Sequence, residues 1–476
     1  MSTSTPTNAP PPDASTATTT APATTAAAPA RPRWIEHWDP EDPTFWESTG
    51  RHVARRNLIW SIFAEHLGFS VWLLWSIVVV QLGATATGAP GPAGFALSLD
   101  QQLWLVAVPS GVGAFLRLPY TFAVPLFGGR NWTVVSALLL VIPCGLLAWA
   151  VSDPSTSYTT LLLVAATAGF GGGNFASSMT NISFFYPERE KGWALGLNAA
   201  GGNLGVAVVQ KLVPTVVTLG AGLTLARAGL IYIPLVVIAA VCAFLFMDNL
   251  AEAKSDPGAV AAAAKRGQTW IMSVLYIGTF GSFIGYSAAF PALIKAPKVF
   301  DNPEFALAWG FLGALVGSLA RPLGGRLSDR LGGARVTAFS FALMTVGAVG
   351  ALYSVQQKVF GLFVTSFLVL FVATGLGNGS TFRMIPAIFR RLALDAGGTA
   401  DEVLRSKREA AGAIGISSAV GAFGGFVVPI AYAQSNKHLG SIVPALRFYV
   451  VFFVVMLAIT WFCYLRKGSR MAKAGV

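Results

Sequence analysis

Charge is what this chain has least of. Only 11% of its 476 residues are Asp, Glu, Lys or Arg, against about a quarter in a soluble domain. Such a surface cannot be kept wet, and 54% hydrophobic residues exceed what an aqueous core absorbs. Cysteine is nearly absent. Cys144, Cys242 and Cys463 stand far apart in apolar stretches, which excludes a disulfide framework and a Cys-based metal site. The four histidines are isolated, so no metal-ligand cluster is expected. No nucleophile–base pair and no phosphate-binding loop is visible, so neither enzyme chemistry nor a cofactor is expected. Acids are scarcer than bases, 21 against 33, for a net charge of +12. That balance would suit nucleic acid, but the bases sit in short gaps between apolar runs, a pattern of membrane topology.

What is abundant is long apolar sequence. Runs of about 20 residues or more, enough to cross roughly 30 Å of hydrocarbon as a helix, lie near 58–83, 103–126, 132–152, 159–185, 191–214 and 228–248. A second set lies near 268–294, 304–325, 335–354, 360–389, 408–432 and 443–465. The reading is an all-α membrane protein of about twelve transmembrane helices in a lipid bilayer. Residues 1–57 hold an Ala/Thr/Pro tail expected to be disordered over 1–30 and an aromatic, basic lead-in expected to lie at the bilayer interface. No basic segment precedes an apolar run there, so a signal peptide is not expected. The halves are then 58–248 and 268–466, with a linker at 249–267 and a tail at 467–476. With the N-terminus inside, the outer loops hold only Arg227, Lys295, Lys298, Lys358 and Lys437, while most Lys and Arg fall on the other face. That asymmetry places both termini in the cytoplasm.

The halves are related. GAFLRLPYTFAVPLFGGRNWT in the second span answers GSLARPLGGRLSDRLGGARVT in the eighth: each has a mid-span arginine, then a Gly-Gly-basic turn. Two pseudo-symmetric six-helix halves with a solute site between them are the major facilitator architecture. The turn Gly325-Arg326-Leu327-Ser328-Asp329-Arg330-Leu331-Gly332-Gly333 resembles that superfamily's loop signature, and is read as a conformational latch that does not touch solute. Arg117 and Arg321 lie too deep to reach water easily. A mid-membrane arginine costs at least about 2.5 kcal/mol, and no Asp or Glu is placed near mid-depth to offset either. Two unpaired cations at matching positions imply an anion between them, unless carbonyls or a distant acid hold each one. Arginine's planar fork suits a flat oxyanion.

Tyr276 and Phe280 share a helix face at i, i+4, and Phe175 follows a glycine run in the fourth span. Facing phenyl rings suit a flat ion and the tyrosine hydroxyl a hydrogen bond, although aromatics at helical spacing are commonly packing. The fifth and eleventh spans are dense in small residues, with Gly196, Gly201, Gly202 and Gly205 in one and Gly421, Gly424 and Gly425 in the other. They read as close-packing surfaces that also serve as a hinge. Asn203 is placed to orient an arginine or the solute.

The run GGGNFASSMTNISFFYPEREKGWALGLNAAGGNLG resembles the fourth and fifth helices of the bacterial nitrate/nitrite porters, a branch of the major facilitator superfamily. So do the two arginine segments, VLYIGTFGSFIGYSAAF, GLGNGSTFRMIPAIF and the lead-in WDPEDPTFWESTGR, over about residues 38 to 465. The resemblance implies nitrate and nitrite as solutes in a bacterial inner membrane, and a carrier that works as a monomer. It implies that Arg117 and Arg321 grip the anion, that Phe175 and Phe280 sandwich it, and that Tyr276 hydrogen-bonds it. The residues alone reach only a small planar anion.

Glu65 and His66 in the first span depart from relatives that look apolar there. Either they form a protonatable pair that couples transport to protons, or they face headgroup water near the cytoplasmic end. Arg383 is read as solvated or as a partner of Glu65. Coupling is thus open between nitrate/nitrite exchange and nitrate–proton symport. The rival readings are a carrier for another small anion, such as phosphate, and an anion sensor, which would want a soluble signalling domain.

Overall fold

The structure is a computed structural model that describes residues 1–3, 33–220, 222–253, 256–469 and 471. Most of the tail expected over 1–30 lies outside the described residues, as does most of 467–476. Among the described residues, twelve long helical rods follow one another: α1 Pro43–Leu82, α2 Leu99–Phe127, α3 Gly129–Ala150, α4 in two pieces, Tyr158–Thr167 and Gly169–Phe185, α5 Glu188–Val217 and α6 Arg227–Phe246. After the linker come α7 Gly267–Lys295, α8 Pro303–Leu331, α9 Gly333–Gln357, α10 Phe360–Ala396, α11 Ala400–Leu439 and α12 Val443–Leu465. Eleven of the described helices are long and apolar enough to cross a membrane. α4 is not among them, because its buried side carries Asn174, Ser177, Ser178 and Asn181.

Position in the bundle follows from composition. Every residue from Ser282 to Lys295 of α7 is buried, as is every residue of Trp75–Leu82 in α1, so these rods are central. α6 exposes Val237, Ile238, Val241, Phe244 and Leu245, a face suited to lipid, where a helix already satisfies its own backbone. The two halves repeat one turn closely. Gly128 joins α2 to α3 at φ 86°, ψ 144°, and Gly332 joins α8 to α9 at φ 90°, ψ 136°. Only glycine adopts that backbone without strain. In the second half, Asp329 of the turn pairs with Arg383 of α10 at 2.6 Å, both half-exposed. Arg383 is therefore not a partner of Glu65.

The lead-in packs onto the start of the linker. Its strand β1, Trp34–Ile35, pairs in parallel with β2, Asn249–Leu250, at the start of the linker. Trp38 and Trp46 bury their rings against Phe185, Tyr186 and Leu250. Asp248 receives Arg56 at 2.6 Å, Arg33 at 3.7 Å and the Asn57 amide at 2.9 Å. The linker itself contains a short helix, Pro257–Ala264.

The polar contacts that join the halves are unevenly placed. At the face opposite the termini, Lys295 Nζ donates to the Gly83 carbonyl at 2.6 Å. Nearby, Gln210 donates to the Ser287 carbonyl at 2.7 Å and Lys211 to the Ala308 carbonyl at 3.4 Å. At mid-depth, Arg117 reaches Ser418. Among the described residues, no such hydrogen bond or ion pair joins the halves at the face that carries the termini.

Candidate functional site

Close backbone approach sets the geometry. A Cβ on Gly172 would stand 2.6 Å from Trp72 and 2.7 Å from the Gly113 Cα. The absence of one lets α4 lie against α1 and α2, which brings the Gly172 carbonyl to 3.2 Å from Arg117 Nε. In the other half, a Cβ on Gly424 would fall 2.5 Å from the Gly281 Cα, so α11 and α7 touch through their backbones. α7 contains a π-helical turn at Ile277–Gly281. Such turns are frequent at functional sites. Here the turn holds Tyr276 and Phe280 with ring centroids 5.2 Å apart and planes 15° from parallel.

Arg117 is fully buried. Its Nη1 donates to the Ser418 carbonyl at 3.1 Å and to Ser418 Oγ at 2.9 Å, so a cation of the first half reaches across to α11. Its guanidinium carbon lies 4.4 Å from the Phe175 ring centre, 4.9 Å from Phe280 and 5.4 Å from Trp72. Arg321 lies 5.8 Å from Phe175 and 5.8 Å from Phe382. Phe175 thus faces both guanidinium groups, one from each half. A buried cation facing aromatic faces gains about 2 kcal/mol or more when desolvated, which helps to hold each arginine in an apolar interior.

Several donors here have no protein acceptor. Among the described residues, Arg117 Nη2, Arg321 Nη1 and the Tyr276 hydroxyl make no hydrogen bond, and Tyr276 lies beside both arginines; on α5 the Asn203 amide is also buried with neither its nitrogen nor its oxygen paired. A buried unpaired polar group costs about 1–3 kcal/mol, more when charged. The two guanidinium donors and the tyrosine hydroxyl beside them describe a place for an acceptor-rich anion. Phe175 and Phe280 stack at 6.0 Å and 27°. A flat ion between two ring faces needs about 7 Å, twice a van der Waals contact of about 3.5 Å. Binding between the faces therefore parts the rings by about 1 Å. At the ring edges, where the quadrupole is positive, the ion needs no such movement.

Glu65 is where the structure departs most from the sequence reading. It is 1% exposed, so it does not face headgroup water. It is also an acid close enough to the site for both Arg117 and Arg321 to act on it electrostatically, which overturns the expectation that no carboxylate lies near them. Its Oε2 accepts from the Asn198 amide at 2.6 Å and from the Ser178 hydroxyl. Its Oε1 has no partner among the described residues. His66 turns away, its Nδ1 3.0 Å from the Gly201 carbonyl, so the two residues do not act as a pair.

The glycines divide. A Cβ on Gly202 would stand 2.5 Å from Glu65 Oε1; Gly201 and Gly205 similarly press on Ile62 and the His66 carbonyl, and Gly421 and Gly425 on Tyr276 and Ile284. Gly196 is different: it is exposed and nothing lies within 4 Å of where its Cβ would be, so the packing role expected of it is absent. The sequence reading did not single out Trp72, Phe382, Ser418, Ser178 or Asn198. Ser418 and Asn198 stood inside the small-residue helices, and their polarity among glycines was the available signal. Trp72 and Phe382 carried none, since aromatics are common in such helices.

The Major Facilitator Superfamily model matches residues 56–429. The nitrate/nitrite transporter NarU of Salmonella typhimurium is 40% identical over 461 residues, covering 92% of this chain and 97% of that protein. The probable nitrate/nitrite antiporter NarK2 of Thermus thermophilus is 35% identical over 466 residues, covering 93% and 98%. A crystal structure of a D-xylose–proton symporter superposes with a TM-score of 0.64 at 14% identity, over 85% of this chain and 96% of that one; that likeness concerns the fold alone.

Proposed function

The chain belongs to the Major Facilitator Superfamily, and on that premise we propose that it carries nitrate and nitrite across a membrane by alternating access. The observation that carries this reading is the pair of unsatisfied guanidinium donors, Arg117 Nη2 and Arg321 Nη1, flanking Phe175 from opposite halves. A planar, singly charged oxyanion accepts from both at once. Tyr276 and Asn203 supply further donors, and Phe175 and Phe280 restrict the site to a flat ion. The names of the two relatives point to the same solutes.

Alternating access follows from where the arginines sit. Each half contributes one cation, so the anion gains its full set of contacts only when the halves approach. A ligand shifts a conformational equilibrium only through contacts that differ between states, and this two-sided grip provides them. The polar contacts between the halves lie at mid-depth and at the face opposite the termini, which suits a carrier closed on that side. By the positive-inside asymmetry, that side is the outside of a bacterial cytoplasmic membrane, with both termini inside. The twelve-rod chain completes the site by itself, so the working unit is the monomer.

Counterflow tests this. Purified protein in liposomes loaded with nitrite, at equal pH inside and out, takes up labelled nitrate, and Arg117→Lys or Arg321→Lys slows that uptake severely. Folded wild-type protein that takes up nitrate neither in exchange nor under a proton gradient sinks the reading.

A further inference from the structure

Two guanidinium groups with no anion between them repel one another. If nothing offset that repulsion, the empty carrier would resist closing, and transport would be restricted to exchange. The structure places one carboxylate where it relieves this. Glu65, buried beneath the arginines, feels both Arg117 and Arg321 yet makes no direct ion pair with either among the described residues. It does not belong to the set of groups that would touch the anion.

Resting on the nitrate reading above, we propose that Glu65 is a built-in counter-anion: ionised, it stands in for nitrate in the empty carrier, and when nitrate binds it takes up a proton that crosses with it. The charge count follows directly. With Glu65 ionised, the empty site holds two cations and one anion, a net +1. With nitrate bound and Glu65 protonated, it again holds two cations and one anion. Both translocating forms carry the same charge, so neither is penalised more than the other by the membrane potential or by self-repulsion. One proton and one nitrate move together, and the net process is electroneutral. The proton comes from water on the entry side and returns to water on the exit side.

The surroundings of Glu65 suit a group that changes protonation. The Asn198 amide and the Ser178 hydroxyl both donate to Oε2, which serves the ionised form. Oε1 carries no partner, and the missing side chain of Gly202 leaves it space, so a proton is accommodated there. Ser61, one helical turn nearer the termini on the same face of α1, meets Ser178 hydroxyl to hydroxyl at 2.9 Å. This hydroxyl pair leads from Glu65 toward the face where no polar contact closes the halves. No competing titratable group faces Glu65 among the described residues. α2 and α8 contribute Arg117 and Arg321, and α4 carries no charge. The charged residues of α5 are Glu188, Arg189, Glu190 and Lys191 in its first turn and Lys211 near the other end. α6 carries Arg227 at its start, at the face opposite the termini, and Tyr232 and Cys242 beyond it. Arg130 of α3 is turned to the Phe244 carbonyl, and His66 to that of Gly201.

The test uses full-length protein in liposomes, wild type and Glu65→Gln, with three readouts: nitrate/nitrite exchange at equal pH, net nitrate uptake into empty vesicles under an inward proton gradient, and lumenal pH. Wild type is expected to show net uptake with one proton entering per nitrate, unchanged when valinomycin and potassium clamp the potential. Glu65→Gln is expected to keep exchange and to lose both net uptake and the proton signal, while Glu65→Asp retains both. Proton-driven net uptake by Glu65→Gln overturns the proposal, as does wild-type net uptake without proton entry, or a wild type that exchanges but shows no net uptake. Should Glu65→Gln fail to fold, the wild-type proton count decides alone. Absence of both activities in folded wild type refutes nitrate transport itself, a different failure.

Discussion

Replacing Arg117 by lysine keeps the charge and removes the fork. In the structure the arginine uses Nε on the Gly172 carbonyl and Nη1 on Ser418, and Nη2 is left for solute. A lysine ammonium is a single point with three donors on a flexible stem. If it stays on the Gly172 and Ser418 acceptors it has nothing directed at the ion; if it turns to the ion those acceptors lose their donor. Either way about one charge-assisted hydrogen bond is lost, worth about 1.5–3 kcal/mol. At about 1.4 kcal/mol per factor of ten, nitrate binding to Arg117→Lys should weaken by about 10- to 100-fold. Titration calorimetry in detergent, with thermal unfolding as the check on folding, reads this directly. A dissociation constant within about threefold of wild type, a difference of less than about 0.7 kcal/mol, would refute the argument from the fork and leave Arg117 as a mere source of positive field.

Four further outcomes follow from particular contacts. Gly421→Ala drives a methyl group into the Tyr276 ring and should weaken nitrate binding, whereas Gly196→Ala meets open space and should leave transport unchanged; equal effects in counterflow would contradict this division. Phe175→Ala removes the ring that both guanidinium groups face and a buried side chain, so it should cost about 3–5 kcal/mol of stability and much of the nitrate affinity; an unshifted melting temperature argues against it. Lys295→Met loses the bond to the Gly83 carbonyl across the halves. In a background free of native cysteines, a cysteine at position 287 should then be alkylated faster from the face opposite the termini, and an unchanged rate would show that this bond is no latch. Asp248→Asn strips the charge from the acid that gathers Arg33, Arg56 and Asn57. It should lower the melting temperature by an amount reflecting about 2 kcal/mol, with exchange retained; full loss of exchange would mean that the lead-in acts in transport itself.

On the Glu65 proposal, a carrier's need for exchange depends on what offsets the paired arginines when the site is empty, and a single buried carboxylate changes that balance without altering the grip on the ion. The same residue accounts for the polarity of α4 and α5 at Ser178 and Asn198, which otherwise sit unexplained among glycines.

Membrane residence, the twelve-rod plan and the two mid-span arginines were decided by the sequence alone. The reason is that hydrocarbon is an unforgiving solvent: it demands long apolar helices and makes every intramembrane cation conspicuous. The repeated Gly-Gly-basic turn carried the pseudo-symmetry, because few sequences fit the backbone that Gly128 and Gly332 adopt. Only the tertiary structure decided what those cations face. Phe175, Phe280 and Tyr276 had the spacing of ordinary packing, and their relation to the arginines depends on a π turn in α7 and on backbone contact between α7 and α11. The lead-in's pairing with the linker joins residues more than 200 positions apart, which no local pattern announces. Glu65 is the sharpest case. From its place in α1 it was equally a headgroup-facing acid or an internal one, and burial by Ser178 and Asn198 from two other helices made the choice. Depth along a single helix is written in its sequence, but the electrostatic neighbourhood of a side chain is set by the helices that pack around it.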